Sequence, residues 1–264
     1  MIGRLLRLGP RKPPYFAACE YWVYLPGEKL PPQEMLMARM VRTSPFAKGG
    51  ERPITPNEAL LFSDIRLHLG LVPKTRNVHH FRPDLFDEHC EPTKEILGAL
   101  AEANAFVKLR FVSEEPLKDD RHLQFMPYLA EAVAYYGKAI AVFDAVSERL
   151  LTAEELRDAL RKDPNAARPD FHLRTVWITT GLGGTSATRG LVKVGLPELQ
   201  TPESPGEHRA LICGVLQEAA EQLWASRELA EIVRVRYFED EFLVKVQQHR
   251  AEPATARIMR VQAT

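Results

Sequence analysis

Alternation of apolar and polar positions is clearest from Phe106 to Val112, where Val107, Leu109 and Phe111 fall on one face and Lys108 and Arg110 on the other. That period of two predicts a half-buried strand. The same period recurs in IVRVRYF, Ile232 to Phe238, and FLVKVQ, Phe242 to Gln247. Joined through Glu239-Asp240-Glu241, the two predict a hairpin in which Val233, Val235 and Tyr237 match Phe242, Val244 and Val246 in kind. FAACEYWVYL, Phe16 to Leu25, has the aromatic and β-favouring content of a strand, and AIAVFD, Ala139 to Asp144, reads as a buried one. HLRTVWITT, His172 to Thr180, and TRGLVKVGL, Thr188 to Leu196, predict two strands around a glycine-rich turn.

Elsewhere the apolar spacing is helical. Leu211, Ile212, Val215, Leu216, Ala219 and Leu223 form the stripe of the longest helix, opened by a capping box over Ser204-Pro205-Gly206-Glu207. Thr152 with Glu155 makes another box, flanked by Leu151 and Leu156 as a hydrophobic staple, for a helix reaching about Arg161. Thr55-Pro56-Asn57-Glu58 opens a helix through Leu61, Ile65 and Leu69 that Gly70 ends. Shorter helices are predicted from Gln33 to Val41 and from Pro92 through Ile96, Leu97, Leu100 and Ala101. A longer one runs from Asp120 to Tyr136 and is closed by Gly137, with a kink or a true start at Pro127. After His249 the pattern is weak.

Proline is concentrated in the first fifth of the chain, where it removes backbone donors and shortens elements. Periodicity is lost from Val72 to Cys90. This places a boundary there, giving a proline-rich N-terminal lobe over residues 1–90 and a second lobe over 91–264. From residue 106 the order is strand, helix, strand, short helix, two strands, long helix, two strands. The expected fold class is α+β, a mainly antiparallel sheet with helices on one face and ferredoxin-like elements in the second half.

Composition narrows the function classes. Hydrophobic residues are 45% and charged residues 27% of 264, values of an ordinary globular chain. Lys plus Arg equals Asp plus Glu at 35 each, so no net field draws in nucleic acid or an anionic membrane. The longest apolar runs fall far short of the roughly 20 residues that span a bilayer. The N-terminus carries Arg4 and Arg7 without an apolar core or small-residue cleavage site, so no secretory signal is expected, although the lack of acidic residues before Glu20 also suits a short organellar presequence. Cys19, Cys90 and Cys213 are widely spaced and odd in number, which supports no disulfide framework and points to the cytoplasm.

Four stretches offer chemistry. GLGGTSATRG, Gly181 to Gly190, has the glycine content of a phosphate loop but neither the Walker nor the dinucleotide spacing, and no G-x-S-x-G elbow surrounds Ser186. The histidine-rich loop gathers His79, His80, His89 and Cys90 with Asp84, Asp87 and Glu88; His80, His89 and Cys90 are the preferred ligands if a metal, zinc by donor type, is bound. Glu114 to His122 sets carboxylates beside a histidine, as acid and base catalysis requires, although acidic residues before a helix also serve as caps. Lys108, Arg110, Arg234, Arg236 and Lys245 fall on polar strand faces and would form a basic surface for RNA if those strands shared one sheet.

TRGLVKVGLPEL, Thr188 to Leu199, resembles a segment of uncharacterised bacterial proteins grouped as domains of unknown function; Thr188, Gly190, Leu191, Gly195, Pro197, Glu198 and Leu199 carry the resemblance. It implies a bacterial origin and an α+β fold and transfers no catalytic residue. The expected function is that of a non-enzymatic interaction or accessory protein of a bacterial system, an immunity-type protein being one form of it, with a protein partner. A metal-dependent enzyme using the loop from His79 to Cys90 and an RNA-binding protein are the alternatives.

Overall fold

Two mainly antiparallel sheets carry the computed structural model, which describes residues 16–43, 66–82, 86, 90, 93–248 and 253–261. The strands are β1 (Ala18–Leu25), β2 (Leu67–Pro73), β3 (Ala105–Val112), β4 (Ala141–Asp144), β5 (Arg149–Thr152), β6 (Arg174–Thr180), β7 (Gly183–Arg189), β8 (Leu199–Gln200), β9 (Ser204–Pro205), β10 (Ile232–Tyr237), β11 (Asp240–Gln247) and β12 (Ala254–Arg260). The helices are α1 (Gln33–Thr43), α2 (Lys94–Glu102), α3 (Arg121–Gly137), α4 (Ala153–Lys162), α5 (Pro169–His172) and α6 (Arg209–Ser226). The α+β class with antiparallel sheets is as the sequence predicts.

The first sheet has the order β2-β3-β1-β4-β5. Its central strand β1 is apolar at nearly every position because both faces are covered. Cys19, Tyr21, Val23 and Leu25 join the core beneath α3, together with Leu123, Met126, Leu129 and Val133 of that helix. Trp22 and Tyr24 face the other way, toward Phe81, Phe86, Phe106, Phe143 and the α2 residues Ile96 and Leu100. Helices therefore flank this sheet on both sides. The boundary expected at residue 90 falls inside it, since β1 and β2 from one side of that point both pair with β3 from the other.

The second sheet runs β10-β11-β12-β8-β7-β6, with β9 on β7. Here α6 covers one face: Val215, Leu216, Ala219 and Leu223 lie in one cluster with Val233, Val235, Phe242 and Val244. The predicted hairpin forms in register, Val233 opposite Val244 and Val235 opposite Phe242. The elements from residue 105 onward are thus divided between two sheets, where the sequence reading set them on a ferredoxin-like template; β3 and β4 are drawn to β1 by its two-sided apolar surface.

Other elements differ in type. β2 takes in Leu67 to Leu69, read as the end of a helix closed by Gly70, and Val72 and Pro73, read as the start of a non-periodic loop; the start of that helix lies outside the described residues. Leu67, Leu69 and Leu71 have the period of two that suits a strand, and pairing with β3 decides against the helical spacing of Leu61, Ile65 and Leu69. The capping box at Thr152 is present, its Oγ1 accepting from Glu155 N at 3.0 Å and Glu155 Oε2 accepting from Thr152 N at 2.7 Å. The one at Ser204 is not: Ser204 belongs to β9, its hydroxyl donates to Pro202 O at 3.4 Å, and α6 begins only at Arg209 after a 3-10 turn. Pro127 neither starts nor ends α3. No helix among the described residues is long and apolar enough to cross a membrane.

Candidate functional site

The segment from Thr188 to Leu199 is where the two sheets meet, and its geometry departs most from the sequence reading. In place of a strand over 188–196, β7 ends at Arg189 and Leu191–Val194 form a 3-10 turn. Gly190 at φ 116° and Gly195 at φ 75° bracket it in the left-handed region that glycine tolerates. A Cβ at Gly190 would stand 1.9 Å from the carbonyl oxygen of His172, so no other residue fits. Glu198 then folds back over the turn, its carboxylate accepting from Gly190 N at 2.7 Å, Val192 N at 3.4 Å and Thr188 Oγ1 at 2.7 Å. The two backbone N–H groups are orphan donors of a helical start. Burial pushes the Glu198 carboxyl up, against the lowering effect of these hydrogen bonds.

The turn drives Lys193 into the interior, where it is fully buried. Its ammonium donates to Asp144 Oδ2 at the end of β4 and, at 3.2 Å, to Nδ1 of His172 at the end of α5. Asp144 Oδ1 accepts from Val146 N at 3.2 Å and Ser147 N at 3.1 Å. His172 Nε2 lies 2.7 Å from Ala166 O and 3.0 Å from Leu123 O. Carbonyls only accept, so Nε2 carries the proton and Nδ1 is the acceptor for Lys193. Burial and the Lys193 charge hold His172 well below its ordinary pKa. Burial would raise Asp144, but the adjacent ammonium outweighs it and keeps the carboxyl below its usual range. The Lys193 carbonyl in turn takes the Nε2 proton of His122 at 2.9 Å, and burial depresses that histidine to about 4.

A Lys, Asp and His within hydrogen-bond reach have the composition of a proton-transfer site. Their burial sets a different role. Lys193 and His172 expose none of their surface and Asp144 3%, so a substrate has no path to them in this arrangement. What the cluster does is electrostatic: it ties β4 of the first sheet to the 3-10 turn that leads into the second, and it satisfies charges that would be costly alone. Lys193, read from sequence as one polar position of a strand, was missed because only the glycine-bracketed turn reverses its direction.

The predicted ligands are placed as follows. Cys90 is buried in the cluster beneath the first sheet, among Phe81, Phe86 and Ile96. The His80 ring packs edge-on to Trp22 at 4.8 Å and against His79 at 3.9 Å, and burial lowers its pKa. His89 lies outside the described residues. Among the described residues no group of three or more His, Cys, Asp or Glu is placed to hold a metal ion. In the acidic turn, Asp119 binds Arg121 at 2.8 Å, and Asp120 receives Arg227 at 2.8 Å, which ties α6 to α3. The basic positions divide between sheets: Lys108 pairs with Glu20 at 2.9 Å and Arg110 with the same carboxylate at 3.6 Å in the first, and Arg234, Arg236 and Lys245 lie on the open face of the second. Ser186 is buried and its hydroxyl donates to Cys213 Sγ at 3.4 Å.

The second sheet also carries a feature that the sequence reading lacked, because β12 lies in the weakly patterned tail. β8 and β12 run parallel only at Ala254–Leu199 and Thr255–Gln200. Beyond that point they part: Thr201 N stays with β7, donating to Ser186 O at 2.8 Å, while β12 continues along β11. A groove of about 500 Å³ opens in the fork, lined by Leu211 and Ile212 of α6, by Phe242 and by Ile258 and Met259 of β12. Leu211 is 39% and Met259 45% exposed, and Leu182 and Phe238, at the tips of the β6–β7 and β10–β11 turns, are almost wholly so.

In comparisons with known proteins, no family model, no curated protein and no solved structure matches the chain.

Proposed function

We propose that the protein works by binding another protein, as an accessory or immunity-type component of a bacterial system in the cytoplasm. The observation that carries this reading is the forked groove between α6 and β12, where Leu211 and Met259 hold apolar surface open to solvent beside an apolar floor. Concave apolar surface with a polar rim is the usual form of a recognition site. The buried Lys193 cluster supports the reading in a second way, since its ionisable groups are committed to holding the sheets and are sealed from any substrate.

Co-purification tests it. A tagged chain expressed in its native host retains a stoichiometric partner, and Leu211→Asp, which places a charge on the groove wall, loses that partner while keeping its fold by circular dichroism. A partner retained equally by both chains, or none retained by either, refutes the reading.

A further inference from the structure

The backbone in the fork indicates what kind of segment the groove takes. Val261 N donates to Glu241 O at 2.8 Å, which sets the phase of the β11–β12 ladder. Residues 257, 259 and 261 exchange hydrogen bonds with β11, and the N–H and C=O groups of Ile258 and Arg260 point the other way. On that side β8 has already left, and among the described residues no strand takes its place. This edge therefore presents two donors and two acceptors at strand spacing, beside an apolar floor.

Resting on the interaction reading above, we infer that the fork binds an extended segment of a partner protein, added as a strand to the free edge of β12, in which apolar residues alternate with acidic ones. The alternation follows from the two faces of the sheet. A strand paired with β12 turns every second side chain toward α6, where Leu211, Ile212 and Ile258 supply the apolar contacts. The intervening side chains emerge on the open face, beside Arg257 and, through its cross-strand pair, Lys245. Two like charges directly opposite each other are unfavourable, and an inserted carboxylate relieves them. No carboxylate is among the residues lining the groove, and Arg260, in phase with Ile258, is held by Asp240.

A phage-displayed library of random peptides roughly eight residues long, enough to span the free edge, is selected on the full chain. The expected enrichment is of peptides alternating apolar and acidic residues. Ile258→Pro removes a donor that β11 does not use, so it leaves the ladder paired and weakens the selected peptides about tenfold or more beyond Ile258→Val, which trims the apolar contact and keeps the donor. N-methylation of alternate amides in the peptide abolishes binding. Arg257→Glu lowers affinity for the acidic peptides and shifts a fresh selection toward basic ones. Peptides that bind Ile258→Pro and Arg257→Glu as tightly as the wild type overturn strand addition, and so does a library from which nothing is enriched; in both cases the co-purification result still decides whether the protein has a partner. A concentration-dependent dimer in sedimentation that Leu211→Asp abolishes also overturns it, assigning the fork to a second copy of the chain.

Discussion

The carbonyl of Leu123 accepts a hydrogen bond from His172 Nε2 at 3.0 Å. Its helical donor would be the N–H of residue 127, and that residue is Pro127, which has none. A proline inside α3 is thus accommodated by a histidine from a later helix, and the bond fixes the tautomer that lets His172 accept from Lys193. His172→Phe leaves Leu123 O, Ala166 O and one Lys193 donor unmet, at an expected cost of about 2–4 kcal/mol. Adding Pro127→Ala restores a donor to Leu123 and returns about 1 kcal/mol of that. Urea denaturation of the two single variants and the double variant checks the coupling; strictly additive effects contradict it.

Lys193→Met leaves the Asp144 carboxylate buried without its partner and lowers stability by about 3–5 kcal/mol. Replacing both charges, Lys193→Met with Asp144→Leu, is milder than the lysine substitution alone, because no uncompensated charge remains. Denaturant midpoints order the three proteins as wild type, double variant, single variant. A single variant as stable as the double contradicts the cost of an unpaired Asp144 carboxylate.

At Gly190, alanine meets both a φ of 116° and the carbonyl of His172. Gly190→Ala is expected to cost more than about 3 kcal/mol, with the melting temperature as readout. Gly27, whose Cβ position is open, tolerates alanine with little change. Equal effects at the two positions contradict the tight turn.

The buried histidines set a pH dependence. In the unfolded chain His122 and His172 take up protons near pH 6.5, whereas in the folded protein His122 stays neutral down to about 4 and His172 lies well below its ordinary value. Their depressed values leave the unfolded state with more bound protons below pH 6.5, so the stability they contribute is complete above that pH and declines as the pH falls. With two such groups the slope reaches about 3 kcal/mol per pH unit. Asp144, held low, loses its share further down, and Glu198, raised by burial, acts in the opposite sense. Urea midpoints at pH 7.5 and 5.5 measure the decline, which His122→Gln reduces; a flat profile contradicts it.

Much of the fold is legible from local pattern. The alternation in β3, β10 and β11, the capping box at Thr152 and the apolar stripe of α6 from Val215 to Leu223 each have a local cause, and each forms as read. What local pattern lacks is partner choice. Residues 67–73 become a strand because β3 offers an edge, and the two-sided apolar surface of β1 recruits strands from beyond the expected boundary. In the Gly181 to Leu199 run the alternating LVKV cannot be told from a strand without the long-range approach of the His172 carbonyl, which leaves room for glycine alone at residue 190. The candidate groove was invisible for a related reason: β12 has a mixed pattern, with Ala256 and Ile258 inward and Arg257 and Met259 outward, and its fork with β8 depends on long-range pairing.

Hydrogen–deuterium exchange on the protein with and without its co-purified partner shows whether the fork of the second sheet is the working surface. New protection is expected over residues 201–212 and 254–261, with the interior around Lys193 unchanged. Protection confined to the first sheet, or to residues 74–82, would place the binding surface elsewhere and contradict it.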